Sequence, residues 1–236
     1  PKNYFMKHDN TDEFFFTLEN ELFTLLSSIT VGSKRFLTNK VDRSVSGLIA
    51  QQQCVGPLGT PLSNFALLSD SMFPVKDGKF SGIATSIGEQ PILSLLDPVA
   101  MVQKTFSEML TNLMWCKISN IEDIKCSANW MWPNPHKDPK EGYKMYSSMK
   151  ELVRLMTLFR IAIDGGKDSL SMSVKYKKYN IDSPGTLVLS SYVKCPNIYH
   201  KVTPNIKKTG SCLYFIDLSS KASESRKMRM GASTIM

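Results

Sequence analysis

The chain has 236 residues, 42% of them apolar and 21% charged, with a formal net charge of +8. That balance describes a globular protein long enough to bury a core, and it excludes a disordered or low-complexity chain. No uninterrupted apolar run approaches the roughly 18 residues that a membrane helix needs, so no membrane role is expected.

The first residues, Pro1-Lys2-Asn3-Tyr4-Phe5, carry neither an initiator Met nor a secretory apolar region, so the chain reads as a piece of something longer. Residues 1–12 are polar and patternless, which reads as disorder or as part of a neighbouring segment. From Asp12 to about Ile29, Phe15, Leu18, Leu22, Leu25 and Leu26 recur near helical spacing, and Glu19, Asn20 and Glu21 supply a polar face. A short amphipathic helix ending before Gly32 is expected. Residues 31–50 read as loop, with a polar knot at Asp42-Arg43-Ser44-Val45-Ser46-Gly47. Gly56-Pro57, Gly59 and Pro61 punctuate a turn-rich connection. Asn64–Leu68 and Phe80–Ile87 read as strands, with Asp77-Gly78 between them as a hairpin-type signal.

Asp97-Pro98 is a strong helix start, an Asp N-cap with Pro at the first helical position. The helix should reach about Trp115, with Val99, Val102, Phe106, Leu110 and Leu113 on one broad apolar face. Lys104, Glu108 and Asn112 align at i, i+4, i+8 on another face, which by pattern alone is a solvated stripe with an ordinary Lys–Glu pair. Ile124–Trp132 reads as a strand, Asn134–Pro139 as loop, and Glu141–Phe159 as a second helix. Leu170–Lys178, Leu187–Val193 and Cys212–Leu218 read as further strands, the first two joined through Ser183-Pro184-Gly185. Strands alternating with helices give an α/β or α+β fold, with strands half-buried rather than continuously apolar.

Between the second helix and the strand after it lies Ile163-Asp164-Gly165-Gly166-Lys167-Asp168-Ser169-Leu170-Ser171-Met172-Ser173. Paired glycines permit positive φ and close approach of a ligand, and Lys, Asp and Ser can meet phosphate, metal or a polar substrate. The same residues also suit a tight helix-to-strand turn with solvated side chains. It is not a P-loop, because Ile161 stands where Gly-x-x-x-x-Gly-Lys requires glycine.

The positive charge favours anionic partners, namely nucleic acid, phosphorylated metabolites or an acidic neighbouring domain. Part of the excess sits in the tail, where Lys221, Arg226, Lys227 and Arg229 face only Glu224. Lys and Arg are not interleaved with aromatics along one element, so no nucleic-acid partner is expected. Cys54, Cys116, Cys126, Cys195 and Cys212 are scattered and odd in number, without Cys-x-x-Cys, which argues for a reducing compartment and against a disulfide framework or zinc site. Cys54 reads as a small buried hydrophobe.

Several separated segments, taken in order, resemble one family. They are Gly32–Val45, Gly47-Leu48, Gln51-Gln52-Gln53-Cys54-Val55-Gly56-Pro57-Leu58 and Gly88-Glu89-Gln90-Pro91, followed by Leu95-Leu96-Asp97-Pro98 and Glu108–Asn112. Lys125–Trp132 and Asp164–Met172 complete the set. In this order they resemble phosphoribosylformylglycinamidine synthase, the large amidotransferase of purine biosynthesis, in its eukaryotic-like form. The resemblance covers about Thr30–Leu218 and implies the second half of the synthetase region, with an aminoimidazole ribonucleotide synthetase-like fold. It implies a linker and short helix over 1–29, an N-terminal, ATP-binding domain over 30–204 whose sheet pairs with the first half's, and the start of a C-terminal domain over 205–236.

The activity implied is that of a carbon–nitrogen ligase with glutamine as amide donor, converting formylglycinamide ribonucleotide to the amidine with ATP. The resemblance implies ATP or ADP and Mg²⁺ as ligands, and a cytoplasmic location. It further implies glutamine-derived ammonia, a glutaminase domain and a first synthetase half as partners in the complete enzyme. Lys34 and Ser63 match nucleotide-binding positions, and Glu108 and Asn112 match a metal-binding Glu-x-x-x-Asn, whose spacing puts both oxygens on one helix face. Asn64, in Pro61-Leu62-Ser63-Asn64, stands where the family has a metal-binding Asp; it keeps an oxygen but loses a charge. Gly166, Lys167, Asp168 and Ser169 form the family's signature loop, expected to line the cleft, while the catalytic residues stay unassigned. Gly231-Ala232-Ser233-Thr234 is a degraded form of a family Gly-Gly-Ser/Thr-Ala segment, and Phe73–Lys79 reads as an insertion. A noncatalytic module that binds only nucleotide or a partner half is the alternative, and the chain alone is expected to be inactive.

Overall fold

The computed structural model describes residues 11–40, 43–44, 47–75 and 77–216, and for residues 11–16 the backbone alone. The expectations for residues 1–10, for the basic tail and for Gly231–Thr234 lie outside the described residues, as does part of the knot at 42–47. The chain divides into two compact units, residues 1–37 with 212–236, and residues 38–211.

In the smaller unit the amphipathic stretch forms helix α1 (Thr11–Ser27). It closes where the Gly32 amide donates to the Ser28 carbonyl at 2.7 Å. One further turn, α2 (Arg35–Thr38), starts with the Arg35 amide donating to Ser33 Oγ at 3.3 Å. The strand expected at Cys212–Leu218 does not form over the described part. Cys212–Ile216 has no regular structure, and Leu213, Tyr214 and Phe215 are exposed. An alternating pattern needs a ladder partner, and among the described residues none pairs with these.

The larger unit is built on a six-stranded mixed sheet with strand order β1-β2-β3-β8-β4-β5. Its strands are β1 (Ile49–Gln51), β2 (Ala66–Ser69), β3 (Gly82–Glu89), β4 (Lys125–Met131), β5 (Ala162–Ser169) and β8 (Thr186–Cys195). All neighbours are antiparallel except β4 and β5, which run parallel and are joined through helix α5 (Pro139–Phe159). A short helix α3 (Pro91–Ser94) precedes α4 (Pro98–Leu113). Asp97 caps α4 as expected, its carboxylate accepting from the Val99 and Ala100 amides at 2.9 and 3.0 Å.

Residues alternate between buried and more open along β3, β4 and β8. Leu67, Ala84, Cys126, Ala128, Trp130, Leu187, Leu189 and Val193 join Met101, Val102, Phe106 and Met109 of α4 in one core. Inside it, Ser86 and Ser191 face each other across β3 and β8 with hydroxyls 2.7 Å apart, and Ser86 Oγ donates to the Met109 carbonyl at 2.8 Å. Two buried hydroxyls thus satisfy each other and a helix carbonyl. The opposite sheet face stays open, with Leu68, Ile83 and Ile87 each about 40 to 55% exposed. α5 packs on α4, and Glu151 accepts from Arg154 of its own helix at 2.7 and 2.8 Å and from Gln103 of α4 at 2.7 Å. The Arg154 guanidinium first, then Gln103, hold the Glu151 carboxyl at about 2. A carboxyl lowered in the folded state contributes stability at pH above about 4.5, and this contribution fades as pH falls toward 2.

Two expectations are corrected in this unit. The glycine-rich stretch is not a loop: Ala162–Ser169 is the edge strand β5, in parallel register with β4 from Lys125↔Ala162 to Met131↔Ser169. Gly166, at φ 154°, lies so near β4 that a Cβ would meet the Ala128 carbonyl oxygen at 2.0 Å. The glycine is there for strand-to-strand approach rather than for a turn. The strand expected over Leu170–Lys178 begins only at Ser173 and belongs to a separate hairpin, β6 (Ser173–Tyr176) and β7 (Tyr179–Asp182). It turns at Lys177-Lys178 with Lys177 at φ 55°. Asp77-Gly78 turns the chain between the antiparallel strands β2 and β3, with φ of 53° and 69°.

Gly88 sets the distance between α4 and β3, because a Cβ there would meet the Thr105 carbonyl oxygen at 2.0 Å and the Met109 nitrogen at 2.8 Å. Both obstacles are backbone, so no rotamer change relieves them. Gly88→Ala is expected to lower the unfolding free energy by about 2 kcal/mol, as for an overpacked core. Urea denaturation measures this, and a loss under about 0.5 kcal/mol contradicts the close packing.

Candidate functional site

The close approach of α4 to β3 lets two residues of its polar stripe reach the end of that strand. Glu108 Oε2 accepts from the Glu89 amide at 2.8 Å and from Gln90 Nε2 at 3.0 Å. One turn on, Asn112 Nδ2 donates to the Ile87 carbonyl at 2.9 Å. Glu108 and Asn112 therefore grip the main chain at the end of β3, and no ion pair joins Glu108 to Lys104 among the described residues. Lys104 is exposed, as a solvated residue should be.

Asn64, just before β2, donates from Nδ2 to Asn112 Oδ1 at 3.2 Å, across 48 residues of chain. Glu108 Oε1 and Asn64 Oδ1 carry no hydrogen bond among the described residues, and Asn112 Oδ1 has Asn64 as its donor. These are three hard side-chain oxygens carrying a single negative charge. Donors of these types can ligate a divalent cation, and with one carboxylate they would hold it less firmly than a set with two; as the side chains stand, Asn64 turns its nitrogen toward Asn112.

Next to Asn64, Ser63 Oγ accepts from Gln51 Nε2 at 2.5 Å and donates to the Phe65 carbonyl at 2.6 Å. The Ser63 hydroxyl thus shapes the turn into β2. Gln51 is buried and its Oε1 lacks a partner among the described residues, so this amide offers a second oxygen at the base of the turn. On the other side of Asn64 is a cavity of about 320 Å³ lined by Asn64, Phe65, Trp115, Val202, Thr203 and Pro204. Its floor is mostly apolar, with Trp115 offering an aromatic face, and its volume is at the lower end for small-molecule sites.

Lys34 belongs to the smaller unit, where its ammonium donates to the Gly32 carbonyl at 2.7 Å. Gly166, Lys167 and Asp168 share no lining residue with the cavity at Asn64; they border an apolar groove of about 500 Å³ with Trp130, Met149, Leu152 and Ile163. Ser169 ends β5, its carbonyl accepting from the Trp132 amide at 2.8 Å. Asp164 is the extra residue of a bulge opposite Cys126 and Ser127, and its carboxylate accepts from the Tyr192 hydroxyl, which raises the pKa of that phenol. Gln51, Gln90 and Trp115 support or line the Asn64 site and were not singled out from the sequence. For the two glutamines the only available signal was their place in the Gln-Gln-Gln-Cys and Gly-Glu-Gln-Pro segments.

An open-faced mixed sheet backed by two long helices defines a mixed α/β domain of the PurM-like N-terminal class. The family described as "FGAR-AT PurM_N-like domain" matches residues 33–194, and the chain belongs to it. The chain is 50% identical over 222 residues to phosphoribosylformylglycinamidine synthase of Drosophila melanogaster, a match covering 92% of this chain and 15% of that protein. It is 45% identical over 239 residues to the synthase of Dictyostelium discoideum, covering 92% and 17%. The chain thus spans about one sixth of the curated relatives it matches. Among solved structures, PurLQS from Thermotoga maritima aligns with TM-score 0.53 and 17% identity, over 74% of this chain and 25% of that one. At that identity the likeness speaks to the fold. No helix of the described residues is long and apolar enough to cross a membrane.

The grip of α4 on β3 is a stabilising feature before any ligand is considered. Asn112→Ala and Glu108→Ala are each expected to cost about 1 kcal/mol, the net worth of the hydrogen bonds removed. Lys104→Ala should stay within about 0.5 kcal/mol of the parent, as a solvated position does. Equal losses at all three positions in urea melts would contradict the assignment of the first two to the strand end.

Proposed function

We propose that this chain supplies the N-terminal, nucleotide-binding domain of the second half of the synthetase region in a phosphoribosylformylglycinamidine synthase. The complete protein converts formylglycinamide ribonucleotide to the amidine, using ATP and ammonia released from glutamine, in purine biosynthesis in the cytoplasm. In this reading residues 30–204 form the domain, residues 1–29 lead into it, and residues 205–236 begin a C-terminal domain. The open sheet face, with Leu68, Ile83 and Ile87, is the surface for the first synthetase half. A glutaminase domain supplies the ammonia. The 236-residue chain by itself does not turn over, because those parts are required.

The observation that carries the reading is the meeting of Asn64 with Asn112, one helical turn from Glu108, at the edge of the Trp115-lined cavity. In the proposed site Glu108, Asn112 and Asn64 hold Mg²⁺ through their oxygens, and Ser63 contacts nucleotide; Lys34, in the smaller unit, is a nucleotide contact on the strength of the resemblance alone. Mg²⁺ there supplies neutralisation of phosphate charge. Glu108 orients the site by fixing the Glu89 amide and Gln90 while leaving one oxygen for the cation. Asn112 fixes the Ile87 carbonyl and turns its own oxygen toward Asn64. Trp115 and Phe65 offer an apolar wall suited to a base. Gly166, Lys167, Asp168 and Ser169 belong, in this reading, to a second part of the cleft along β5.

One observation favours the alternative of a noncatalytic module. A single carboxylate serves three candidate ligand positions, so the site binds Mg²⁺ weakly and suits a structural nucleotide or none. Calorimetric titration of Mg-ADP into a protein extended to the full synthetase region separates the two. Glu108→Ala is expected to weaken binding at least tenfold, about 1.4 kcal/mol, and Asn64→Asp to tighten it. Unchanged binding in both variants would sink the metal assignment and leave the module reading.

A further inference from the structure

Behind the wall of the Asn64 cavity lies a pair of thiols that the proposed activity does not use. Cys116 follows the end of α4, Cys195 ends β8, and both are buried, 4% and 0% exposed. Their sulfurs are 3.5 Å apart, although the residues are 79 positions apart in the chain. The other cysteines lack such a partner among the described residues: Cys54 Sγ faces Asn39 Oδ1 at 3.2 Å, Cys126 faces Met109 Sδ at 3.5 Å, and Cys212 is exposed.

The surroundings of the pair are built rather than incidental. Cys116 forms a β-bridge with Lys201, flanked by the Val202 amide donating to the Trp115 carbonyl at 2.8 Å and the Lys117 amide to the His200 carbonyl at 2.9 Å. The two strands of this strap therefore hold Cys116 against the end of β8. Lys201 is half-buried, its ammonium donating to the Ala50 carbonyl at 2.6 Å, which puts a cation near both sulfurs. The Cys116 thiol donates toward Cys195 Sγ; this contact first, then the Asn197 amide and Lys201, lowers Cys195, while the same contact and burial push Cys116 up. With Cys116 donating toward Cys195, the contact assigns Cys195 as the attacking sulfur and Cys116 as the resolving one.

We propose that Cys116 and Cys195 are a peroxide-responsive thiol pair that closes to an intrachain disulfide. The Cys195 thiolate attacks one oxygen of hydrogen peroxide; the O–O bond breaks, Cys195 becomes a sulfenic acid, and hydroxide leaves and takes up a proton. Cys116 sulfur then attacks Cys195 sulfur, its proton leaves with the hydroxyl as water, and the S–S bond forms. Two thiols and one peroxide thus give a disulfide and two waters. A disulfide needs sulfurs about 2 Å apart, so side-chain rotation has to bring them closer by about 1.5 Å. The bridge ties the strap bearing Trp115 and Val202 to β8, and so fixes one wall of the cavity beside Asn64. This inference is independent of the function proposed for that cavity.

The test is peptide mapping of the 236-residue chain carrying Cys212→Ser, which removes the exposed thiol. The protein is treated with hydrogen peroxide, free thiols are alkylated, and the digest is read by mass spectrometry. The expected result is a linked peptide joining Cys116 to Cys195, with Cys54 and Cys126 alkylated. A rise of about 5 °C in Tm, reversed by dithiothreitol, should accompany it. Cys116→Ala should abolish both, and should that variant not fold, the map of the Cys212→Ser chain decides alone. Recovery of Cys116 and Cys195 as alkylated thiols, or of Cys195 over-oxidised without a link, would overturn the proposal.

Discussion

Helix α4 rests on β3 at backbone contact, and most of what the larger unit does depends on that. Gly88 leaves no side chain between them, so the Thr105 carbonyl and the Met109 amide lie where a Cβ would be. The consequence runs in two directions. Inward, Met101, Val102, Phe106 and Met109 seal one face of the sheet, and Ser86 and Ser191 find each other and the Met109 carbonyl. Outward, the polar side of the same helix comes within reach of the main chain at Ile87 and Glu89. A helix held farther away by a β-carbon would leave Glu108 and Asn112 in solvent, as an ordinary amphipathic stripe predicts.

The same geometry explains why a sheet with one open face coexists with a built polar corner. β3, β4 and β8 each bury alternate residues, so the face away from α4 and α5 keeps Leu68, Ile83 and Ile87 exposed. An antiparallel-dominated sheet tolerates one solvated face, but that face normally reads polar. The apolar residues there depart from that pattern, and in the proposed function they form the surface for the first synthetase half. In the proposed reading the corner at Asn64 is a cation site, and with one carboxylate it is a weak one. Substituting asparagine for an acid changes affinity more than shape, since both present an oxygen at the same reach.

Much of the fold was legible because its signals are local. Asp97-Pro98 announced α4, the 3.6-residue spacing gave its core face, and Asp77-Gly78 carried two positive φ values into the connection between β2 and β3. β5 was not legible, since Asp164, Gly165, Gly166 and Asp168 are turn formers. What makes them a strand is the ladder with β4, a tertiary effect that overrides propensity. The β6–β7 turn was hidden because Lys177 occupies a positive-φ position that usually signals itself with Gly or Asn. Cys212–Ile216 had the pattern of a strand and no partner. For the site, the i, i+4 spacing announced that Glu108 and Asn112 share a face. The approach of Asn64 across 48 residues and the contribution of Trp115 depend on packing that no spacing encodes.

The most direct measurement is anomalous diffraction from crystals of a protein extended to the full synthetase region, grown with Mn²⁺ in place of Mg²⁺ and with ADP. The account predicts a manganese peak bonded to Glu108, with the Asn112 and Asn64 side-chain oxygens in its coordination sphere and the Asn64–Asn112 hydrogen bond of 3.2 Å broken to admit it. Manganese bound elsewhere, with Asn64 still donating to Asn112 and Glu108 engaged only with Glu89 and Gln90, would contradict it.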